Sequence, residues 1–451
     1  MQIVVGNSYA KIIQATTQEE AFLREYLTFR SSSPQGKDTE HCLLSRARMF
    51  PAGLAARVAA AARERGMEVA VAPRRPSVVP LAVPRDGLWP HQVRALDAIW
   101  ERRRGIIQHA TGGGKGTTIA ALVAEINAPT LVLVTSIKLL HEMYDRIRKV
   151  AEITPGRFGD SYKELKRPVI VATVNSAAKL PKEKLDSFVA VLGDEVHGSA
   201  GLTYLSVVLA CTNAEVRIGF SGTPLHRSDK KSIYTIGAFG DVIDRYTPAQ
   251  SAADGVTARA HLTMVPMHHT PVSAVMGYVD WEKRAIAKNV ARNNLILRLI
   301  ATTPAPRIVF VRTHEHQAIL MKQLGNTAVC VNDKVPMNDA NRRVRQLVNG
   351  TVDTLISTPI FRQGVDIPEI ATVIQASGGQ STVDIIQKVG RGSRRHLKDG
   401  TTKDDFYVYD ILDRGCGCTG RQQHKGCEWL EKHSRARKLA YEKFGYVVKT
   451  E

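Results

Sequence analysis

Val191-Leu192-Gly193-Asp194-Glu195-Val196-His197 puts a carboxylate pair at the end of an apolar, strand-like run that begins at Phe188. About eighty residues upstream lies Ala110-Thr111-Gly112-Gly113-Gly114-Lys115, a glycine-rich loop that also follows an apolar run. Glycines let backbone N–H groups converge on phosphate oxygens, the lysine reaches the β- and γ-phosphates, and the following helix N-terminus adds positive dipole. An acidic pair at the carboxyl edge of an α/β sheet stands where Mg2+ is held and a water polarised. In this order the two stretches describe a nucleotide-hydrolysing site. Asp194 orients Mg2+, Glu195 positions or activates the attacking water, and Thr111 to Thr117 cradle the phosphates.

One position departs from that chemistry. A Ser or Thr that binds Mg2+ normally follows the lysine, but here the residue is Gly116, with Thr117 and Thr118 behind it. Either Thr117 reaches the metal through a shifted turn, or metal binding is weakened.

Around these stretches, strand candidates alternate with helical patterns: Gly105–His109, Thr130–Thr135, Pro168–Thr173, Phe188–Asp194 and Val216–Ser221. The alternation pauses between about 245 and 300, where Trp281 to Ile300 looks helical. It resumes with Arg307–Val311, Ala328–Val331, Thr354–Ser357, Thr372–Ala376 and Phe406–Ile411. This pattern predicts an α/β fold of two parallel-sheet blocks, each covered on both faces. The expected boundaries are a small α+β unit over 1–72, a Pro-rich linker over 73–87, blocks over 88–250 and 251–415, and a basic, cysteine-bearing tail over 416–451. In the first unit a helix is expected from Gly53 to Arg65, followed by a strand from Met67 to Ala72.

The chain has 451 residues, 43% of them hydrophobic, and so can bury more than one core. Its formal charge of +19, from 62 Lys and Arg against 43 Asp and Glu, points to an extended polyanion such as DNA or RNA. Six cysteines are too sparse for a disulfide framework. The first residues lack a signal-peptide layout, and no uncharged run is long enough to span a bilayer. A soluble protein of a reducing cytoplasm is the expectation, with no membrane partner.

The chain resembles superfamily 2 helicases and translocases of the DExH type. The phosphate loop and Asp194-Glu195-Val196-His197 match motifs I and II, and Phe220-Ser221-Gly222-Thr223-Pro224 resembles motif III. Thr130 to Leu140 and Ala172 to Ser176 resemble the strand-contacting motifs of the first lobe. Ile308 to Val311 with Arg312 and His314 looks like motif IV, and Ser357 to Pro368 is close to motif V. Gln387-Lys388-Val389-Gly390-Arg391-Gly392-Ser393-Arg394 is a full motif VI. The match runs from about 88 to 412, in order.

The resemblance implies two tandem RecA-like motor domains using ATP and Mg2+. It implies catalytic roles for Lys115, Asp194, Glu195, Gln387, Arg391 and Arg394, and nucleotide contacts for Gln92, Gly364 and Asp366. His197, Ser221 and Thr223 would couple hydrolysis to movement, and Thr135, Asn175, His314 and Thr358 would hold nucleic-acid phosphates. Arg391 and Arg394 share one face if their stretch is helical, and from a second lobe they could meet the γ-phosphate only on closure.

Leu88-Trp89-Pro90-His91-Gln92 keeps the glutamine that reads adenine in relatives, while Trp89 and His91 replace its usual neighbours. The N-terminal unit resembles the small domain before the motor in UvsW-like phage helicases and XPB-like proteins, and the tail from His433 to Tyr446 resembles the phage branch-migration group. That likeness implies a DNA motor for forks and junctions in replication, recombination or repair, acting in a host cytoplasm if phage-encoded. RNA remains an alternative substrate, and Gly116 leaves room for a DNA-binding protein with a decayed, slow ATPase. Cys416, Cys418, His424 and Cys427 carry donors for a structural zinc. Their tight Cys-x-Cys spacing makes reduced thiols on the tail the expectation.

Overall fold

The strand Thr130–Val134 is buried along its whole length, and its alternate side chains enter two different cores. Val132 and Val134 pack with Ile107, Ile119, Leu122 and Ile218, whereas Leu131 and Leu133 pack with Ile106, Val191, Tyr204 and Phe239. A strand apolar on both faces belongs inside a sheet covered on both sides. The computed structural model describes residues 1–32, 38–73, 77–197, 201–225, 232–268, 278–358, 367–395, 400–414 and 425–451. It divides into two compact units, Met1–His109 with Gly114–Tyr246, and Ala110–Gly113 with Thr247–Glu451.

The first unit holds an eight-stranded sheet. From edge to edge its order is Tyr162–Lys163, Gly156–Gly159, Val169–Thr173, Thr130–Val134, Ala190–Asp194, Val216–Phe220, Arg104–His109 and Val242–Tyr246. All pairings are parallel except the hairpin of the first two strands. In register, Asp194 pairs with Phe220, Phe220 with Ile107, and Thr173 with Val134, so these strands end together at one carboxyl edge. Gly193 is needed within its strand, because a Cβ there would lie 2.8 Å from Phe239 and Val196 side-chain atoms.

The N-terminal region is a four-stranded mixed sheet, in the order Met49–Pro51, Tyr9–Gln14, Gln2–Val5, Ala70–Pro73. Helices Thr17–Tyr26 and Ala55–Glu64 pack on it around Ile3, Ile12, Phe22, Leu23 and Val58. It is seated on the larger sheet of its own unit. Arg217 donates to Ser8 Oγ at 2.9 Å, Arg104 donates to the Asn7 carbonyl, and Arg57 pairs with Asp241 at 2.5 Å. Burial pushes the Arg217 guanidinium down to about 10. The Pro-rich segment is tied down as well. The Ser77 and Val78 amides donate to Glu215 at 2.7 and 2.9 Å, and Arg85 bonds Glu125 at 2.6 Å.

The second unit carries a seven-stranded sheet in the order Ala328–Val331, Thr354–Ser357, Arg307–Phe310, Thr372–Gln375, Asp405–Arg414, Arg259–His268, Val448–Thr450. Every pairing in it is parallel. Two expectations need correction here. The pause between about 245 and 300 contains the ten-residue strand Arg259–His268. Pro266 disguises it in sequence, since proline cannot donate to a ladder. The residue is tolerated because the edge strand Val448–Thr450 reaches only Leu262–Met264.

Nor is the C-terminal segment an appended tail. Helix Lys425–Lys443 and strand Val448–Thr450 are built into the unit. Arg437 is fully buried, bonds Asp410 at 2.9 and 3.1 Å, and donates to the Ile411 and Gly379 carbonyls. Among the described residues no helix is long and apolar enough to cross a membrane.

Candidate nucleotide and nucleic-acid site

Strand Arg104–His109 runs through the glycine-rich turn into helix Lys115–Ile126. Gly112 and Gly114 take φ of +86° and +77°, a backbone region that L side chains rarely enter. Gly114 is the helix N-cap and contributes no side chain of its own. Gln92, from another helix, donates from Nε2 to the Gly114 carbonyl at 3.1 Å. Lys115 Nζ donates to the His109 carbonyl at 3.3 Å and stands 4.0 Å from Glu195 Oε1.

The acidic pair lies on adjoining, differently shaped backbone. Asp194 ends its strand and is buried, whereas Glu195 has φ of +49°. Across that turn the Glu195 N–H donates to Asp194 Oδ1 at 3.0 Å. Burial, reinforced by the negative charge of Glu195, pushes the Asp194 carboxyl up to about 7. A buried carboxylate under that pressure, with a second beside it, suits a hard divalent cation held by one or two carboxylates and water. Tyr204 fixes the strand end, donating to the Asp194 carbonyl at 2.5 Å.

His197 continues the line. Its Nδ1 lies 3.1 Å from Glu195 Oε2 and 2.7 Å from Ser221 Oγ. Ser221 Oγ also accepts the Thr223 N–H at 3.0 Å. Lys115, Glu195, His197, Ser221 and Thr223 are therefore brought together in one connected series.

Thr117 sits in a regular first turn, its N–H donating to Gly114 O at 2.9 Å, and its hydroxyl accepts from Arg146 at 3.3 Å. No shifted turn is present. At Gly116 the nearest atoms to an added Cβ, Met143 Cε and Arg146 side-chain atoms, lie 3.9 to 4.0 Å away, an ordinary contact.

Thr135 follows strand Thr130–Val134, and Asn175 lies exposed in the short helix after strand Val169–Thr173. Those strands are neighbours in register, so both residues stand at one sheet edge.

In the second unit, His314 is tied to Asp333 at 2.6 Å. Thr358 is 2% exposed, and its hydroxyl has no hydrogen-bond partner among the described residues. Gln387 lies in helix Thr382–Val389. The stretch carrying Arg391 and Arg394 is not helical, so they share no helical face: the helix ends at Val389 and the chain turns. Gly392 enforces the turn, since a Cβ there would fall 2.3 Å from the Phe406 ring. Arg394 is exposed and bridges to Thr257 in the backbone, while Arg395 braces Asp404 at 2.8 Å and the Gly255 carbonyl at 3.0 Å. Gly364, Asp366, Cys416, Cys418 and His424 lie outside the described residues, as does the side chain of Cys427. Among the described residues no group of three or more His, Cys, Asp or Glu could hold a metal.

Sequence reasoning missed one polar cluster beneath the loop. His109 Nε2 lies 2.6 Å from Asp244 Oδ2, and Arg94 donates to the other carboxylate oxygen at 2.7 Å. Burial holds the His109 imidazole below its ordinary range, against the pull of Asp244. Burial would raise the Asp244 carboxyl, but its bonds to His109 and Arg94 outweigh that and hold it low. A histidine closing the strand directly before the glycine-rich loop was the available signal. Its partner lies 135 residues away, in a strand that had not been anticipated.

Two family models match the chain: "Type III restriction enzyme, res subunit" over residues 86–226, and "Helicase conserved C-terminal domain" over residues 291–396. The chain belongs to the superfamily 2 helicases and translocases. It is an ATP-hydrolysing member with two RecA-like motor domains and an added mixed-sheet N-terminal region. Among curated relatives of this superfamily 2 motor, the ATP-dependent DNA helicase uvsW of Enterobacteria phage T4 is 23% identical over 386 residues, covering 78% of this chain and 76% of that protein. The DNA 3'-5' helicase XPB of Kineococcus radiotolerans is 27% identical over 346 residues, covering 71% of this chain and 59% of that protein. The structure of the ATP-dependent Type ISP restriction-modification enzyme LlaBIII bound to DNA shares the fold. Its TM-score is 0.56 at 15% identity, over 86% of this chain and 34% of that one.

Proposed function

We propose that this ATP-dependent DNA helicase or translocase remodels branched DNA, its forks and junctions, by cycles of ATP hydrolysis at Lys115, Asp194 and Glu195. One observation carries the reading: the series from Lys115 Nζ to Glu195 at 4.0 Å, Glu195 to His197 at 3.1 Å, and His197 to Ser221 at 2.7 Å. Such a series joins the phosphate-holding lysine to the segment that couples turnover to movement.

In this reading the amides of Thr111 to Gly114 and the Lys115 ammonium hold the triphosphate, and Glu195 takes the proton of the attacking water as the γ-phosphoryl bond breaks. Asp194 would hold Mg2+, which would supply charge neutralisation at the phosphates, and Thr117, in an unshifted turn, would share it only by releasing its bond from Arg146. Gln387, Arg391, Arg394, Gly364 and Asp366 are assigned to the nucleotide from the second motor domain. Thr135, Asn175, His314 and Thr358 hold backbone phosphates, a grip that is salt-sensitive and largely indifferent to sequence. The charge of +19 supports a polyanionic partner, and likeness to UvsW-like and XPB-like helicases supports DNA.

The test is ATP hydrolysis by the full chain with no nucleic acid, single-stranded DNA, a four-way DNA junction and structured RNA. Strongest stimulation by the junction is expected. Equal or stronger stimulation by RNA overturns the DNA assignment, and tight DNA binding without turnover points to a decayed motor.

A further inference from the structure

Helix Pro90–Arg102 begins immediately after Trp89, and Gln92 is its third residue. The Gln92 amide is committed at both ends. Its Oε1 accepts the Trp89 N–H at 2.9 Å, closing the helix start, and its Nε2 donates to the Gly114 carbonyl at 3.1 Å. Gly114 has φ of +77°, and a Cβ there would lie 2.4 Å from Gln92 Nε2, so the amide is seated directly against the phosphate loop. The lone pair and N–H that remain belong to a residue only 2% exposed. Its neighbour His91 is equally buried, stacked on Tyr246 with ring centroids 3.8 Å apart and planes 5° from parallel. Trp89, by contrast, is 43% exposed.

An indole face stacks on any base, because every base has a π-face. Telling one base from another takes hydrogen-bonding groups free to meet its edge. We propose that this site takes nucleoside triphosphates as a class, gripped by their phosphates, and that Gln92 is a positioning residue for the phosphate loop, not a reader of adenine. The inference rests on the reading of this site as one that hydrolyses nucleotides. It sets Gln92 apart from the role that family resemblance implies for it.

Steady-state hydrolysis of ATP, GTP, CTP and UTP by the full chain, with Mg2+ and DNA, tests it. The four kcat/KM values should agree within about tenfold, where a site reading polar groups would separate them by about 10⁴-fold. Turnover of ATP with the others rejected more than about a hundredfold overturns base tolerance and leaves the hydrolytic reading intact. Turnover of none of the four overturns both. Gln92→Glu keeps the acceptor for the Trp89 N–H and removes the donor to Gly114. Its loss should fall on KM, equally for all four nucleotides, with the urea unfolding midpoint unchanged. A loss confined to ATP returns Gln92 to adenine recognition. A loss that tracks a lowered midpoint makes it a structural residue only.

Discussion

His197 Nδ1 lies 2.7 Å from Ser221 Oγ and 3.1 Å from Glu195 Oε2, so one imidazole touches both the Glu195 carboxylate and the segment after the next strand. Ser221 is fully buried and holds the Thr223 N–H through the same hydroxyl. A change at Glu195 therefore reaches the Ser221 turn through a single side chain.

Replacing that side chain should separate turnover from its stimulation. In His197→Ala the basal rate of ATP hydrolysis persists while stimulation by DNA falls by about tenfold, the size of a typical coupling between sites. Phosphate release with and without DNA measures it. Equal loss in both conditions would make His197 part of the chemistry itself.

Arg394 is exposed and is reached by the chain after a helix that ends at Val389. On the role proposed for it at the γ-phosphate, Arg394→Ala should lower kcat by about a thousandfold with little change in nucleotide affinity. Glu195→Gln should bind ATP and DNA while slowing hydrolysis by about a hundredfold or more. Fluorescent-nucleotide binding beside single-turnover hydrolysis distinguishes these losses from loss of binding.

The space at Gly116 makes a gain-of-function variant available. With the nearest atoms 3.9 Å from an added Cβ, Gly116→Ser fits without rearrangement and places a hydroxyl directly after Lys115. The half-saturating Mg2+ concentration should fall by about tenfold. Serine in place of glycine should also add about 0.5 kcal/mol to the helix. A Mg2+ titration of the hydrolysis rate checks the first and urea unfolding the second. An unchanged Mg2+ requirement would mean that the missing hydroxyl was never limiting.

His316 makes the second unit acid-sensitive. Burial, with Arg292 adding repulsion, pushes its imidazole down to about 3 from an ordinary 6.5. The unfolded chain takes up this proton below 6.5 and the folded one not until about 3, so stability falls as pH drops through that window. The loss is about 1.4 kcal/mol per pH unit. His316 Nε2 lies 2.9 Å from Asn293 Oδ1, and urea midpoints at neutral and mildly acid pH should show a steeper fall for wild type than for His316→Gln, whose amide can still bond that oxygen.

Much of the architecture was readable because its causes are local. Strands such as Thr130–Val134 and Thr354–Ser357 announce themselves through β-branched and apolar residues. The strand Arg259–His268 did not, since Pro266 and mixed polarity hide a segment whose partners, Asp405–Arg414, lie far along the chain. The condition on which Arg391 and Arg394 would share a helical face is not met, for a related reason. The close approach of Gly392 to Phe406 is a packing fact with no local trace.

By itself the sequence determined the phosphate loop, the acidic pair and the alternation that builds two parallel sheets. Each depends on short-range physics: glycine's tolerance of positive φ, carboxylates at a strand end, and side-chain period. Tertiary structure alone decided where the polar side chains spend their hydrogen bonds. Gln92 goes to Gly114, Arg94 to Asp244 across 150 residues, and Arg437 to Asp410 inside the second unit. A buried polar group must find a partner, and which partner is within reach is set by the packing of elements remote in sequence.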